Sequence, residues 1–226
     1  MPDTFLKNRG GYRQLRVYKV TESIYDITFY FAHHFLEKGD RTVDQMVQSA
    51  RSGKQNIAEG SEASTTSKET EIKLTNVAKA SLEELLLDYE DYLRTHGLVQ
   101  WRQNHPRYDK MRSFTQTAGF AEELPAQLTK LNDEELANLC ITLIHQATYM
   151  LRRLLERQQQ QFLTEGGIRE QMTRARLAYR DSTASLPNPP RSPHHPARLV
   201  RLVLLAASSD SSCWPPRPTS PVGRLV

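Results

Sequence analysis

Apolar residues recur every three or four positions along almost the whole of residues 14–163 of this 226-residue chain. That spacing places them on one face of an α-helix, and no segment alternates apolar and polar residues as a half-buried strand would. The pattern therefore predicts an all-α protein. Its long helical segments lie at about residues 14–38, 42–62, 67–96 and 132–163. Since each carries one broad apolar stripe, they predict an antiparallel up-down-up-down four-helix bundle over residues 1–165.

Local signals indicate where two of these helices begin. Thr66 followed by Glu69 fits a capping box at the start of the third helix. Asn132 followed three residues later by Glu135 fits the start of the fourth helix. The consecutive glycines at 166–167 are expected to end that fourth helix.

The rest of the chain has three parts. Residues 98–130 predict a long connection between the third and fourth helices, with a short helix in its first half and with Gly119 and Pro125 interrupting the remainder. Residues 166–181 predict a short basic amphipathic helix. Residues 182–226 contain nine of the twelve prolines and too few apolar residues to form a core, which predicts a disordered tail.

The net charge is distributed unevenly. The chain holds 30 basic and 26 acidic residues, but residues 182–226 alone hold five arginines and one aspartate. The tail therefore supplies the whole excess of +4, and residues 1–181 are neutral overall. The N-terminus lacks the apolar core of a signal peptide, and no apolar stretch of the tail approaches the roughly 20 residues that span a bilayer. We therefore expect a cytoplasmic protein with no membrane contact.

Common catalytic motifs are missing from the sequence. The Glu-x-x-His pairs of di-iron bundles are absent, as are His-Glu-x-x-His, glycine-rich phosphate loops and Gly-x-Ser-x-Gly. The two cysteines, Cys140 and Cys213, are too few for a disulfide scaffold or a zinc site. We therefore expect a non-enzymatic protein with no cofactor and no metal. The carboxylates of residues 83–91 leave a metal-dependent nuclease as a distant alternative.

Charges are segregated along the predicted bundle. Residues 1–19 and 150–180 each carry a net +4, whereas residues 69–91 carry −5. In an up-down bundle the start of the first helix and the end of the fourth lie at the same end, so the basic clusters are expected to converge and to bind nucleic-acid phosphates. The candidate residues are Arg9, Arg13, Arg16, Lys19, Arg152, Arg153, Arg157, Arg169, Arg174, Arg176 and Arg180. Pairing with the acidic third helix of a neighbouring subunit and plain solvation are the alternatives.

A second apolar row lies beside the core-facing row of the first helix. It consists of Tyr18, Tyr25, Phe29 and Leu36. An apolar face that wide exceeds what one neighbour within the chain covers. We therefore predict a homo-oligomer in which these residues form the subunit contact.

Residues 45–61, Gln-Met-Val-Gln-Ser-Ala-Arg-Ser-Gly-Lys-Gln-Asn-Ile-Ala-Glu-Gly-Ser, resemble the signature of a bacterial four-helix-bundle family. That family includes proteins encoded in intervening sequences of large-subunit ribosomal RNA genes and the accessory variability proteins of diversity-generating retroelements. Residues 15–18 and 78–85 resemble its first-helix and third-helix segments. The connection at 98–130 and the glycine pair followed by a basic helix resemble a longer variant with a four-helix-bundle suffix domain.

This resemblance implies a homo-oligomer, typically a ring of five, with no known enzymatic activity. Retroelement members bind a reverse transcriptase and RNA, so the implied partners are the chain itself, RNA or DNA, and a reverse transcriptase or another mobile-element protein. A purely protein-binding accessory module of a mobile element or phage-like system is the alternative function.

The motif residues Asn56, Ile57, Ala58, Glu59 and Gly60 are expected to be structural rather than functional. Ile57 and Ala58 are expected to pack inward. We expect Asn56 and Glu59 to cap or bridge helix termini, and Gly60 to end the second helix.

Overall fold

A computed structural model describes residues 11–117 and 119–184, and every regular element in those residues is helical. The elements are a 3₁₀ turn at Tyr12–Gln14 and the helices α1 (Arg16–Phe35), α2 (Arg41–Ala63), α3 (Lys68–Thr95), α4 (Tyr108–Phe114), α5 (Phe120–Leu128), α6 (Asp133–Glu165) and α7 (Ile168–Ala184). The all-α prediction is confirmed. No helix of the described residues is apolar over enough length to span a bilayer. The predicted disordered tail lies outside the described residues, except for residues 182–184, which belong to α7.

The helix α1 ends earlier than its apolar pattern predicted. Its last residue is Phe35, because Leu36 has an extended backbone with ψ 153°. Gly39 then turns the chain with φ +92°, a conformation that favours glycine. Asp40 begins α2, since its side chain accepts a hydrogen bond of 2.8 Å from the backbone N–H of Thr42.

The residue that caps α3 is Ser67, and the prediction of Thr66 was wrong. The hydroxyl of Ser67 accepts a hydrogen bond of 3.1 Å from the backbone N–H of Thr70. Thr66 instead donates its hydroxyl to the carbonyl of Ala63 at 3.2 Å. In this short turn the two neighbouring hydroxyls therefore satisfy opposite helix ends, a carbonyl of α2 and an N–H of α3.

The long helix α6 has a capping box at its start and a glycine at its end. The side-chain oxygen of Asn132 accepts from the N–H of Glu135 at 2.8 Å, and the Glu135 carboxylate accepts from the N–H of Asn132 at 3.2 Å. Gly166 follows the helix with φ +75°. The 33 residues of α6 span about 50 Å, whereas the 20 residues of α1 span about 30 Å. One end of α6 therefore extends beyond α1.

The connection between α3 and α6 is more helical than its sequence predicted. α4 contacts α6, and α5 contacts α1. Pro125 lies inside α5, although a proline there removes a backbone hydrogen bond. Phe120 and Leu124 of α5 are buried, and the Phe120 ring packs edge-on against Phe114 with centroids 5.2 Å apart. The predicted interruption at Pro125 was wrong because this burial outweighs the lost bond.

The four long helices share one core. α1 contacts α2 and α6, and α3 contacts the same two helices. Their fully buried side chains include Ile24, Ile27, Phe31, Met46, Leu82, Leu85, Tyr89, Leu139 and Leu143. On α2, Gly53 faces this interior, and the ammonium of the neighbouring Lys54 lies 4.2 Å from the centre of the Tyr25 ring.

Two polar contacts show which parts of α3 and α6 meet. The hydroxyl of Tyr92, near the end of α3, donates at 3.0 Å to the carboxylate of Asp133 at the start of α6. The side-chain amide of Gln158, near the end of α6, donates at 3.1 Å to the hydroxyl of Thr75 near the start of α3. The start of each helix therefore lies beside the end of the other.

Candidate nucleic-acid interface

The second half of α6 presents arginines to solvent. Arg152, Arg153 and Arg157 are all exposed. Arg153 pairs with Glu156 at 2.8 Å, whereas the guanidinium of Arg152 lies 5.3 Å from the centre of the Tyr149 ring. Tyr149 itself is 57% exposed. Cations and an aromatic ring together are what single-stranded nucleic acids contact, through phosphates and through base stacking.

The helix α7 extends this exposed basic surface. Its exposed arginines are Arg169, Arg174, Arg176 and Arg180. Arg174 donates to the backbone carbonyl of Glu165 at 3.3 Å, which ties α7 to the end of α6. Tyr179, on the same helix, is 72% exposed. α7 therefore repeats the combination of arginines and an exposed ring.

The basic residues near the start of α1 meet only part of this surface. Arg13, Arg16 and Lys19 are exposed, and Arg9 lies outside the described residues. Arg16 lines a cleft together with Tyr149, the ring that Arg152 covers. From Tyr149, α6 runs on for about 24 Å to its last residue. The structure thus groups Arg16 with Arg152, whereas α7 begins beyond the end of α6, about two to three Debye lengths from Tyr149.

Acidic side chains line the groove between α2 and α3. Asp44 of α2 and Glu84 and Asp88 of α3 line one shallow cleft there. Burial raises the pKa of Asp88, and the charges of Glu84 and Asp91 raise it further. A raised pKa means that the charged form of Asp88 is disfavoured in this groove. A cationic partner bound there would stabilise the charged form by its opposite charge.

Asn56 of the family-like motif supports a hydrogen bond between α2 and α3. The side-chain amide of Asn56 donates to the carbonyl and the hydroxyl of Ser52 at 2.8 and 3.0 Å. The Ser52 hydroxyl lies 2.9 Å from that of Ser81 on α3. Asn56 therefore holds, within α2, the serine that bonds to α3, and it does not cap a helix terminus. Glu59 is exposed.

The remaining motif residues are buried or partly buried. Ile57 and Gly60 are buried, and Ala58 is partly buried. Gly60 does not end α2, which continues to Ala63. A Cβ at Gly60 would lie 3.3 Å from the Cβ of Leu74 on α3. This glycine is therefore a point of close helix approach.

The predicted subunit-contact residues differ in exposure. Tyr18, Tyr25 and Leu36 are partly buried against the core, whereas Phe29 is 48% exposed. The Phe29 ring lies 4.3 Å from the ring of His33, and both line a shallow cleft on α1. Exposed aromatic surface of this kind is typical of protein contacts.

The described residues hold no group of three or more His, Cys, Asp and Glu side chains placed to bind a metal ion. Cys140 is buried beside the hydroxyl of Thr28, which lies 3.7 Å from its sulfur. Burial raises the pKa of the Cys140 thiol to about 12. The reactive thiolate is therefore scarcely populated at neutral pH.

The sequence patterns missed a cleft of about 770 Å³ over α6. Its lining includes Arg16, Arg102, Tyr108, Arg112, His145 and Tyr149. The sequence signal that could have indicated this cleft is a four-residue spacing of polar residues along α4 and along the side of α6 that does not carry the core stripe. Such spacing shows that residues share a helix face, but it does not show which two faces meet.

A buried amide holds the wall of this cleft in place. The side-chain oxygen of Asn138 accepts from the backbone N–H of Trp101 at 2.6 Å, and its NH₂ group donates to the carbonyl of Val99 at 2.9 Å. The indole N–H of Trp101 donates to Glu134 at 2.8 Å. The beginning of the connection is thereby fixed to α6.

Comparisons of this chain with protein-family models, with curated proteins and with solved structures find no match.

Proposed function

We propose that this protein is a non-enzymatic, homo-oligomeric four-helix-bundle scaffold that binds RNA or DNA through the exposed arginines of α6 and α7. The observation that carries the proposal is the exposed arginine–tyrosine surface, in which Arg152 lies over Tyr149 and α7 adds further arginines around Tyr179. Phosphates bind such cations with release of counterions, and bases stack on such rings.

The proposed bundle has the antiparallel up-down-up-down order. The contacts of α1 and α3 with both α2 and α6 support it, since each long helix then has two long neighbours. The pairing of Tyr92 with Asp133 and of Gln158 with Thr75 supports opposite directions for α3 and α6.

Self-association is supported by the exposed aromatic cleft around Phe29 and by the family resemblance, which implies a ring of five. Sedimentation velocity of the full 26.0 kDa chain measures the mass directly. We expect a multiple of that mass, reduced by Phe29→Glu but not by Val99→Glu, an equally exposed apolar residue of the connection. A single monomeric species at all concentrations would contradict self-association.

Retardation of a short single-stranded RNA and of a duplex DNA tests the nucleic-acid surface. The variant Arg152→Ala/Arg157→Ala removes two exposed cations of α6. Each phosphate contact on a single strand changes log K by about 0.7 per tenfold change in salt, so two contacts change it by about 1.4. If both arginines contact phosphates of single-stranded RNA, their loss therefore lowers the affinity roughly 25-fold at about 0.1 M salt, counted from about 1 M salt.

The matched control is Lys73→Ala/Arg94→Ala, which also removes two exposed cations but from α3, where they pair with Glu69 and Asp91. We expect this control to bind as the wild type does. Equal losses in both variants, or binding by neither variant nor wild type, would overturn the proposed surface.

The acidic groove between α2 and α3 favours a second candidate, a purely protein-binding accessory module. Its partner would present a basic surface, and the resemblance suggests a reverse transcriptase or another mobile-element protein. In that case Glu84→Lys/Asp88→Lys weakens the complex in a co-purification assay, and Arg152→Ala/Arg157→Ala leaves it intact. The opposite result would exclude the groove as the docking site.

A further inference from the structure

The cleft over α6 has the size of a small-molecule site. Its volume of about 770 Å³ lies within the usual range for such sites, about 300–1,000 Å³. Its floor follows α6 from Ile141 to Tyr149, a length of about 12 Å. One wall is the face of α4 that carries Tyr108 and Arg112, and Arg16 of α1 contributes to the same lining.

The charges in this cleft favour an anion. Three arginines, Arg16, Arg102 and Arg112, line it together with one carboxylate, that of Glu90. Glu90 accepts a hydrogen bond of 2.8 Å from Gln100, whose oxygen in turn accepts from Arg102 at 3.3 Å. That chain partly satisfies Arg102 and leaves Arg16 and Arg112 outside it. Guanidinium groups bind phosphate oxygens in pairs of hydrogen bonds, so a phosphate is the anion that fits best.

Aromatic and amide groups in the same cleft favour a flat heterocycle beside the phosphate. Tyr108 and Tyr149 both line it, and Gln103 and Gln116 add side-chain amides that can donate and accept at a base edge. Trp101 is unsuited to stacking, because it is only 6% exposed and its ring already lies parallel to that of His105 at 5.0 Å. Tyr108 and the face of Tyr149 opposite the Arg152 guanidinium are therefore the available stacking surfaces.

We infer that this cleft binds one nucleoside phosphate, with its phosphates at Arg16 and Arg112 and its base between the tyrosine rings and the glutamine amides. The shared chemistry fits a free nucleotide or the end of an RNA chain. This inference goes beyond the proposed surface: Arg102 and Arg112 lie outside the basic set of α6 and α7, and a mononucleotide needs no extended surface.

Titration calorimetry of the full chain with ATP tests the inference. We expect saturable binding with one site per chain. Arg112→Ala should weaken it about tenfold or more, the effect of losing one charge-assisted phosphate contact. Arg153→Ala, a change to an exposed arginine of α6 that does not line the cleft, should leave it unchanged. Tyr149→Ala should also weaken binding, whereas Tyr179→Ala, at an exposed tyrosine of α7, should not.

Further ligands identify what the cleft recognises. Adenosine and inorganic tripolyphosphate should each bind at least about tenfold more weakly than ATP, because each lacks half of the contacts. A short oligoadenylate with a 5′-phosphate distinguishes the sources: if it competes with ATP and is sensitive to Arg112→Ala, the cleft takes an RNA end, and if it does not compete, the cleft takes the free nucleotide.

Several results would overturn the inference. These are no saturable ATP binding, tripolyphosphate binding as tight as ATP, or a variant of Arg153 as damaging as the variant of Arg112. Circular dichroism shows whether each variant is folded, and the exposed position of Arg112 makes loss of the fold unexpected.

If Arg153→Ala alone weakens ATP binding, the proposed surface is retained and the cleft assignment fails. If ATP binds as expected and RNA retardation is absent, the cleft is retained and the surface fails.

Discussion

Replacing Asn138 with alanine tests how the connection is held to α6. Asn138 is only 2% exposed, and its side chain satisfies the N–H of Trp101 and the carbonyl of Val99. Alanine leaves both backbone groups without that partner. A buried polar group without a partner costs about 1–3 kcal/mol. The Trp101 N–H carries the full cost, and the Val99 carbonyl carries less because Val99 is largely exposed.

We therefore expect Asn138→Ala to lower the free energy of unfolding by about 2–4 kcal/mol. Urea unfolding followed by far-ultraviolet circular dichroism measures the loss. Fluorescence of Trp101, recorded in a Trp214→Phe background, reports whether the connection detaches first. Asn76→Ala is the matched control, since Asn76 lies exposed on α3 and the change has the same helix propensity.

The control should change the free energy of unfolding by no more than about 0.5 kcal/mol. If Asn138→Ala destabilised the protein no more than Asn76→Ala does, the buried amide would not hold the connection. The geometry argued for the cleft would then lose its support.

Three further predictions concern the core and the acidic groove. A Cβ at Gly53 would lie 2.7 Å from a methyl carbon of Leu82. Gly53→Val should therefore lower the free energy of unfolding, measured in urea, by about 1–3 kcal/mol. An unchanged value would contradict the close contact between α2 and α3. Burial raises the folded-state pKa of Asp88, so the charge of this carboxylate opposes folding at neutral pH. Asp88→Asn should therefore raise the thermal midpoint at pH 7, and the gain should disappear as the pH falls through the raised pKa to below 3.8. A gain that does not depend on pH would contradict this prediction. Burial raises the pKa of Cys140 to about 12, so in a Cys213→Ser background this thiol should resist a thiol reagent at pH 8 until the chain is unfolded. Rapid labelling of the folded protein would contradict its burial.

The helices could be predicted from the sequence because their apolar period is a local property. Asn132 and Glu135 are three residues apart, so their capping box needs no tertiary information. Thr66 and Ser67 show the limit of such signals: either hydroxyl could cap α3, and only the path of the turn after Ala63 decides between them.

Features that depend on distant parts of the chain could not be predicted. Pro125 interrupts a helix on local grounds, but the burial of Phe120 and Leu124 overrides that preference. The two groups of the connection that the Asn138 side chain binds lie 37 and 39 positions earlier in the sequence. The cleft over α6 likewise joins residues from five separate parts of the chain, which no periodicity connects. Charge segregation indicated a basic surface, but the different lengths of α1 and α6 determine which arginines share it.

The salt dependence of RNA binding tests the central proposal most directly. The slope of log K against log salt counts the phosphates that are contacted, at about 0.7 per contact for a single strand. We expect a steep slope for the wild type, and a slope reduced by about 1.4 in Arg152→Ala/Arg157→Ala. The same slope in both proteins would show that these arginines do not contact phosphates, and it would contradict the nucleic-acid surface on α6.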